Sequence, residues 1–399
     1  MKTFDEALAY LLSKVNPTTR TEVKPIQQTL GCVLAESITS DLNVPPHHNS
    51  MMDGYAVRAD EIQEGQTISV SQRIAAGSVG ASLEKGTVAR IFTGAPVPEG
   101  ADSVIMQEEA VEVEGGVQFT VLSVSEKQNV RHIGEDIAQG DVILAKGHKL
   151  RAQDLGLITS IGIGEVTVYQ PLTLATFTTG DELLEPGEEA MPGKIYNANR
   201  YILAGLVPQL GFELIDLGRV PDTLEATIET LKQAAAVADV VITTGGVSVG
   251  EEDHIKPAVE SVGHLDMWKV KMKPGKPLAY GEVDGKAFIG LPGNPVSAFA
   301  TFNLFARPYL LNMQGQKEVM IEPLWLKADF DWTKAGFRRD FVRARLVNKG
   351  QETVVTLYPN QGSGVLTSTV WADGLAVIPE DSTIAKGDKV AYYPFNDMQ

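Results

Sequence analysis

Residues 239–250, DVVITTGGVSVG, run an apolar stretch directly into a turn that carries Gly245, Gly246 and Ser248. Glycines at such a turn let backbone N–H groups approach an anion, and the next helix adds a favourable dipole. The same pattern also suits a plain strand-to-helix connection. It matches neither the P-loop nor the dinucleotide-binding glycine spacing. Two further turns follow apolar runs, TTGDE at 178–182 and GRVPD at 218–222. Strand C-terminal ends of an open α/β sheet gather at one edge. Asp181, Glu182, Asp222 and Asp253 are therefore expected to face one crevice. Clustered carboxylates beside a phosphate site fit magnesium, which takes a few protein oxygens plus substrate phosphate. Asp222 has a second reading, because Asp222 to Glu225 has the form of a capping box.

A basic cluster sits at 269–276, KVKMKPGK. Strand alternation places Lys269, Lys271 and Lys273 on one face, with Lys276 following, and like charges so arranged repel unless an anion lies among them. A solvated strand face is the alternative. LPGNPVS at 291–297 opens a helix with Pro295 in its first turn, and Ser297 can donate to an oxyanion from there. FRRDFVR at 337–343 and QGSG at 361–364 add arginines and a hydroxyl-bearing turn, each of which could also be surface. SMMDGYA (50–56), RIFTGAP (90–96) and NVRHIGED (129–136) read as loops on physical grounds alone. The six histidines show no metal-ligand spacing, and no Ser/His/Asp or Cys/His system is evident.

The elements that must position these residues follow from periodicity. A capping box at Thr3 to Glu6 opens a helix with Phe4, Ala7, Leu8, Leu11, Leu12 and Val15 at helical spacing. A second helix is expected over about 26–37 and a third over 151–161, packed against the N-terminal helices. Short alternating runs broken by glycine make 41–144 an inserted β domain, nested in a helical region of 1–40 plus 145–171. From 172 to 315, apolar runs alternate with helical stretches, which predicts a doubly wound domain on a parallel sheet. Residues 316–399 read as a small β barrel or sandwich without a helix. The fold class is thus multidomain α/β and β.

Composition sets limits. At 399 residues, with 43% hydrophobic and 21% charged residues, the chain is globular and too long for one core. Lysine plus arginine number 34 against 51 aspartate plus glutamate, a formal charge of −17 that disfavours nucleic acid and anionic membranes. Any anionic substrate needs a local basic cluster, which 269–276 supplies. Cys32 is the single cysteine, so no internal disulfide or thiolate-rich metal site exists and a reducing compartment fits. No segment reads as a signal peptide or a bilayer span, so a cytoplasmic location is expected.

The ordered set SMMDGYA, RIFTGAPVPEGAD, NVRHIGEDI, TTGDEL, NANRY, TTGGVSVGEED, KPGKPL, LPGNPVSA and GSG resembles the molybdopterin molybdenumtransferases. This is the MoeA family, which includes the gephyrin E domain, and the resemblance covers essentially the whole chain. It implies a helical region, an inserted β domain, a molybdopterin-binding α/β domain and a C-terminal β barrel. It also implies a homodimer whose active site lies between the α/β domain of one protomer and N-terminal parts of the other. The implied reaction takes adenylyl-molybdopterin and molybdate and yields AMP and molybdenum cofactor, with Mg2+ or alternatively Zn2+. By motif match, Asp222 and Asp253 would hold the metal, Glu182 and Lys269 would contact the pterin phosphate or active site, and Ser248 would sit at the phosphate turn with Gly245 and Gly246. Lys273, Lys276, Ser297, Arg343 and Ser363 would bind molybdate, while Asp53, Thr93, Arg131 and Asp136 would approach from the partner protomer. Transient contacts with the molybdopterin adenylyltransferase and with molybdoenzyme maturation factors are implied as well. Two rivals differ in kind. The related adenylyltransferases share the α/β domain but lack the flanking domains, and a scaffold of the gephyrin type would not need the metal and molybdate residues.

Overall fold

The structure is a computed structural model that describes residues 1–121, 123–246 and 254–398. The first helix, α1 (Phe4–Ser13), begins on a capping box in which Thr3 accepts from the Glu6 N–H and Glu6 accepts from the Thr3 N–H. Its apolar face, Phe4, Ala7, Leu8 and Leu11, is buried in the core of the α/β domain. The Phe4 ring lies 4.9 Å from the rings of both Phe305 and Phe341, so α1 also reaches the C-terminal barrel.

The helix expected over 26–37 does not form. A single 3-10 turn, Ile26–Gln28, is closed by the Thr29 N–H and hydroxyl on the Ile26 carbonyl, and Gly31 at φ 79° then turns the chain away. Gly31 takes that left-handed conformation without the steric cost a side chain would bring. Strand Thr21–Pro25 instead pairs antiparallel with Glu165–Tyr169. The next helix, α2 (Ala152–Ser160), buries Ile158 with Ile26, Leu34 and Ile38 rather than packing on α1. The region expected to be helical is strand and loop around two separate helices, α1 and α2.

Between its two halves lies the β unit. Strands Ser69–Ile74, Thr87–Ile91, Gly54–Val57 and Ser103–Met106 form a four-stranded sheet in that order, beside a hairpin of Ala110–Val113 and Gly116–Phe119. The chain enters and leaves this unit along antiparallel pairs, Ile38–Thr39 with Val142–Leu144 and Asn49–Ser50 with Val130–Arg131.

The α/β domain is built on six strands in the order Glu213–Val220, Thr173–Thr179, Val240–Thr244, Lys286–Leu291, Pro277–Val283 and Gly263–Lys269. The first four are mutually parallel, Pro277–Val283 runs antiparallel to them, and Gly263–Lys269 pairs antiparallel with Pro277–Val283. The antiparallel edge departs from the expected parallel sheet. Its cause is Asp284-Gly285, both at positive φ (46° and 78°), a two-residue turn whose twist matches a hairpin. Helices α3 (Ala198–Gln209), α4 (Leu224–Val237) and α5 (Ile255–Val262) cover both faces. Leu203 and Val207 of α3 join one core, and Leu231, Ala234, Ile255 and Val259 of α4 and α5 join the other. Helix α6 (Pro295–Thr301) continues through a π turn, Phe302–Ala306, into α7 (Arg307–Met313), packed on α1.

Strands Arg339–Lys349, Glu352–Leu357, Leu324–Ala328, Lys389–Pro394 and Gly374–Ile378 pair in sequence, and the last pairs back to the first, closing a five-stranded barrel. One short helix that the sequence did not announce, α8 (Thr367–Trp371), crosses it. The barrel is tied to the α/β domain by Met272–Lys273 running parallel to Arg339–Asp340, and by Arg339 donating to both Asp5 carboxylate oxygens at 2.9 and 2.7 Å.

Candidate functional site

Three parallel strands end on one cavity of about 690 Å³. Thr179 closes the first strand, Thr244-Gly245-Gly246 the second and Pro292-Gly293 the third, so the doubly wound topology itself brings these turns together. The two glycine turns touch backbone to backbone. Gly245 and Gly246 have φ of 84° and 65°, the Gly245 N–H donates to the Leu291 carbonyl at 3.0 Å, and a Cβ on Gly293 would lie 3.5 Å from the Gly245 Cα. Positive φ is what favours glycine at 245 and 246, since a Cβ at Gly293 would meet only ordinary van der Waals contact.

Two helices begin at the same rim. Asn197 caps α3 and also donates to Thr178 Oγ1 at 3.0 Å and Glu185 Oε1 at 3.2 Å, which fastens the helix to the strand end. Asn199 donates to the Gly293 carbonyl at 2.6 Å, and its Oδ1 is buried without a partner. An orphaned acceptor in a cavity wall is costly unless a ligand donates to it. At the opposite rim, α6 starts with Pro295 at its N-terminus and buries Ser297 against the cavity, and the Val296 N–H donates to the Ser363 carbonyl at 3.2 Å.

The basic wall comes from Lys273, Lys276 and Arg338. The lysines stand on a tight turn at Pro274-Gly275. Gly275 has φ 102° and a Cβ there would meet Thr301 Cγ2 at 2.4 Å, so only glycine lets the lysine turn lie against α6. Lys273 Nζ is 3.8 Å from Asp340 Oδ2. Burial pushes the Asp340 carboxyl up against the pull of Lys273, Arg338 and Arg343.

Among the residues expected from sequence, Glu182, Gly245, Gly246, Lys273, Lys276, Ser297 and Ser363 line this cavity. Lys269 does not. It ends the outer strand Gly263–Lys269, the ladder breaks before Met272, and the Lys271 N–H turns to the Lys2 carbonyl, so the three lysines share no continuous strand face. Arg343 is also absent from the wall. It is 1% exposed and its guanidinium is committed to Ser368 Oγ and the Gly362 carbonyl, while burial pushes it down to about 10. Arg338, five residues earlier on the same segment, takes the cavity position; the arginine-rich stretch marked the segment, but only the barrel decides which arginine faces the cavity. Asn199 was likewise visible only as part of NANRY.

Asp222 stands beyond the end of strand Glu213–Val220, on the same sheet edge but outside the cavity wall. The N-cap residue of α4 is Thr223, which accepts from the Ala226 N–H at 3.3 Å, one position after Asp222. Asp181 offers its carbonyl to Lys194 and does not line the cavity. Ser248 and Asp253 lie outside the described residues. No group of three or more His, Cys, Asp or Glu side chains able to hold a metal forms among the described residues, so the expected four-carboxylate cluster is not assembled there.

Asp53, Thr93, Arg131 and Asp136 all belong to the β unit and none lines the cavity. Asp53 Oδ1 accepts from both the N–H and the hydroxyl of Thr93, each at 2.8 Å, and these bonds hold its carboxyl below the usual range. Thr93, Arg131 and Asp136 are exposed.

Family comparison covers all three parts of the chain. The MoeA N-terminal region (domain I and II) matches residues 2–162, the probable molybdopterin binding domain matches 175–312, and the MoeA C-terminal region (domain IV) matches 326–395. A molybdopterin molybdenumtransferase of Haemophilus influenzae is 38% identical over the full length of both chains. One of Staphylococcus epidermidis is 33% identical over 89% of this chain and 86% of its own. A crystal structure of the molybdopterin biosynthesis MoeA protein of Pyrococcus horikoshii OT3 superposes with a TM-score of 0.85 at 30% identity, covering 98% of this chain and all of that one. With its glycine turns, its lysine turn and its barrel-borne serine on a single cavity, the chain belongs to the molybdopterin molybdenumtransferase family.

Proposed function

We propose that this transferase of molybdenum cofactor biosynthesis captures molybdate and adenylyl-molybdopterin in the cavity and releases AMP and the completed cofactor. The observation that carries the reading is one cavity with two kinds of wall: the positive-φ glycine turn Gly245-Gly246 in one part, and two lysines, an arginine and two serines in another. A dianion such as molybdate suits the second wall, where charge-assisted donors converge. The first wall, Gly245 and Gly246 followed in sequence by Ser248, suits a phosphate. Asn199 Oδ1 then accepts from a donor on the pterin.

Each residue's task follows from its chemistry. Lys273, Lys276, Arg338, Ser297 and Ser363 bind and orient the oxyanion; Glu182 lines the same cavity, while Lys269 and Asp222 stand at opposite edges of the sheet. A molybdate oxygen attacks the adenylyl phosphorus, the phosphoanhydride P–O bond breaks, AMP leaves carrying that oxygen, and the dithiolate sulfurs take the molybdenum. The described residues assemble no protein-only metal cage, which fits Mg2+ only as an ion completed by substrate phosphate, with Asp222 and Asp253 as its carboxylates. That ion would offset phosphate charge. A histidine- or thiolate-rich site of the kind zinc favours is not formed by the described residues.

Asp53, Thr93, Arg131 and Asp136 enter from a second copy of the chain, which makes the enzyme a homodimer with shared sites. Support comes from the preorganised Asp53–Thr93 pair, which is held in place although neither residue lines the cavity of its own chain. The enzyme works in the cytoplasm, receives its substrate from the adenylyltransferase and passes its product to maturation factors. Among the described residues no helix is long and apolar enough to cross a membrane. The test is AMP release from adenylyl-molybdopterin with Mg2+, with and without molybdate. Release that needs molybdate and yields cofactor is expected; release that ignores molybdate, or none at all, would return the adenylyltransferase or scaffold reading.

A further inference from the structure

The oxyanion wall closes on a loop, residues 361–364, that the barrel extends toward α6. Ser363 is held there from two sides. From α6, the Val296 N–H donates to the Ser363 carbonyl, one residue before Ser297. From behind, Arg343 grips the loop at both ends of its own residue. Its N–H donates to Gln361 Oε1 at 2.9 Å, and Gln361 Nε2 donates back to the Arg343 carbonyl at 2.9 Å and to the Tyr358 carbonyl at 2.9 Å. Its guanidinium donates to the Gly362 carbonyl at 3.1 Å and to Ser368 Oγ, at the start of α8, at 2.9 Å.

We infer that Arg343 is a positioning residue for oxyanion capture, acting through the 361–364 loop to keep Ser363 facing the same oxyanion as Ser297. The inference rests on the reading of this cavity as the molybdate site. Burying a charged guanidinium is costly unless its N–H groups are satisfied. Here one of them is spent on the loop's Gly362 carbonyl and another on Ser368 of α8, and the planar fork reaches this carbonyl and hydroxyl at once in a way that a lysine ammonium cannot reproduce. The nearest carboxylate acting on it, Asp340, is itself turned to Lys273. Arg343 therefore shapes the wall without touching the ligand.

The test compares Arg343→Lys, Gln361→Ala, Ser363→Ala and the Arg343→Lys/Ser363→Ala double variant in the AMP-release assay, with thermal unfolding of each. Misplacement of one contact group should raise the KM for molybdate about tenfold in Arg343→Lys, with kcat and the KM for adenylyl-molybdopterin little changed. Gln361→Ala loosens the same loop from its own side and should show the same split, which keeps the inference testable if the arginine variant folds poorly. The double variant should be no worse than Ser363→Ala, because Arg343 acts only through Ser363. Multiplied effects in the double variant, or equal damage to both KM values and kcat, would overturn the inference while the wild-type enzyme remains molybdate-dependent. Wild-type release that ignores molybdate would instead sink the assignment of the cavity, and the inference with it.

Discussion

The cavity wall and the inserted β unit both carry residues that the sequence marks for one reaction, yet they are organised in opposite ways. Wall residues are assembled by tertiary structure: Lys273 and Lys276 on a turn that Gly275 presses against α6, Ser363 on a barrel loop bonded to that helix, Gly245 against Gly293. In the β unit, Asp53 and Thr93 are assembled locally, by two hydrogen bonds across one sheet, and the unit is attached through short strand pairs. The first region is built where separate domains converge, whereas the second is organised within itself and, in the proposed reading, serves a partner's site.

Removing the charge that defines the assembled wall should have the largest effect. Lys273→Ala is expected to lower kcat/KM for molybdate by about 100-fold, the scale for a lost charged donor at an active site. A change under threefold would mean that the lysine turn is not the oxyanion wall. Mixing subunits tests the delivered half. Asp53→Ala and Lys273→Ala homodimers should each be nearly inactive, and subunits exchanged at equal ratio should recover about a quarter of wild-type activity, since half the dimers would hold one intact site of two. Recovery of nothing would place both residues in the same chain's site.

Backbone substitution probes how tightly the wall is held. Gly275→Ala meets both a positive φ and a 2.4 Å contact with Thr301, and should destabilise the protein by about 1–3 kcal/mol, read as a lower Tm together with weaker molybdate binding. Unchanged Tm would show that the turn relaxes freely.

The smallest expected effect lies in the platform that carries the β unit. Asp154 caps α2 through the Arg151 N–H at 2.8 Å, and the Arg151 and His148 side chains hold its carboxyl far below the usual 3.8. A carboxyl depressed in the folded state stabilises above its unfolded pKa and loses that contribution as pH falls through and below it. Asp154→Asn should therefore cost about 1 kcal/mol at neutral pH, with the gap from wild type closing below pH ~4. A gap independent of pH would assign the loss to packing alone.

The contrast between the two regions also shows what was legible in the sequence. Strand-end turns at Gly245, Thr179 and Gly293 were readable because apolar runs followed by glycine have few other uses, and parallel topology then sends them to one edge. The helix expected at 26–37 failed because apolar spacing there serves strand pairing and a small core, and the Gly31 turn outweighed it. Alternation at Lys269, Lys271 and Lys273 was real at the level of burial, with Val270 and Met272 inside, but the ladder breaks between them and the three side chains part company.

By itself the sequence determined the family, the succession of β, α/β and barrel segments, and the types of residue an oxyanion and a phosphate require, since each depends on local pattern and composition. Only the tertiary structure decided that Arg338 faces the cavity while Arg343 stands behind it, that Thr223 rather than Asp222 caps α4, and that Asp53 lies outside the cavity wall of its own chain. Those outcomes depend on which face of a strand a closed barrel turns inward, and on hydrogen bonds between residues far apart in the chain, neither of which any local spacing encodes.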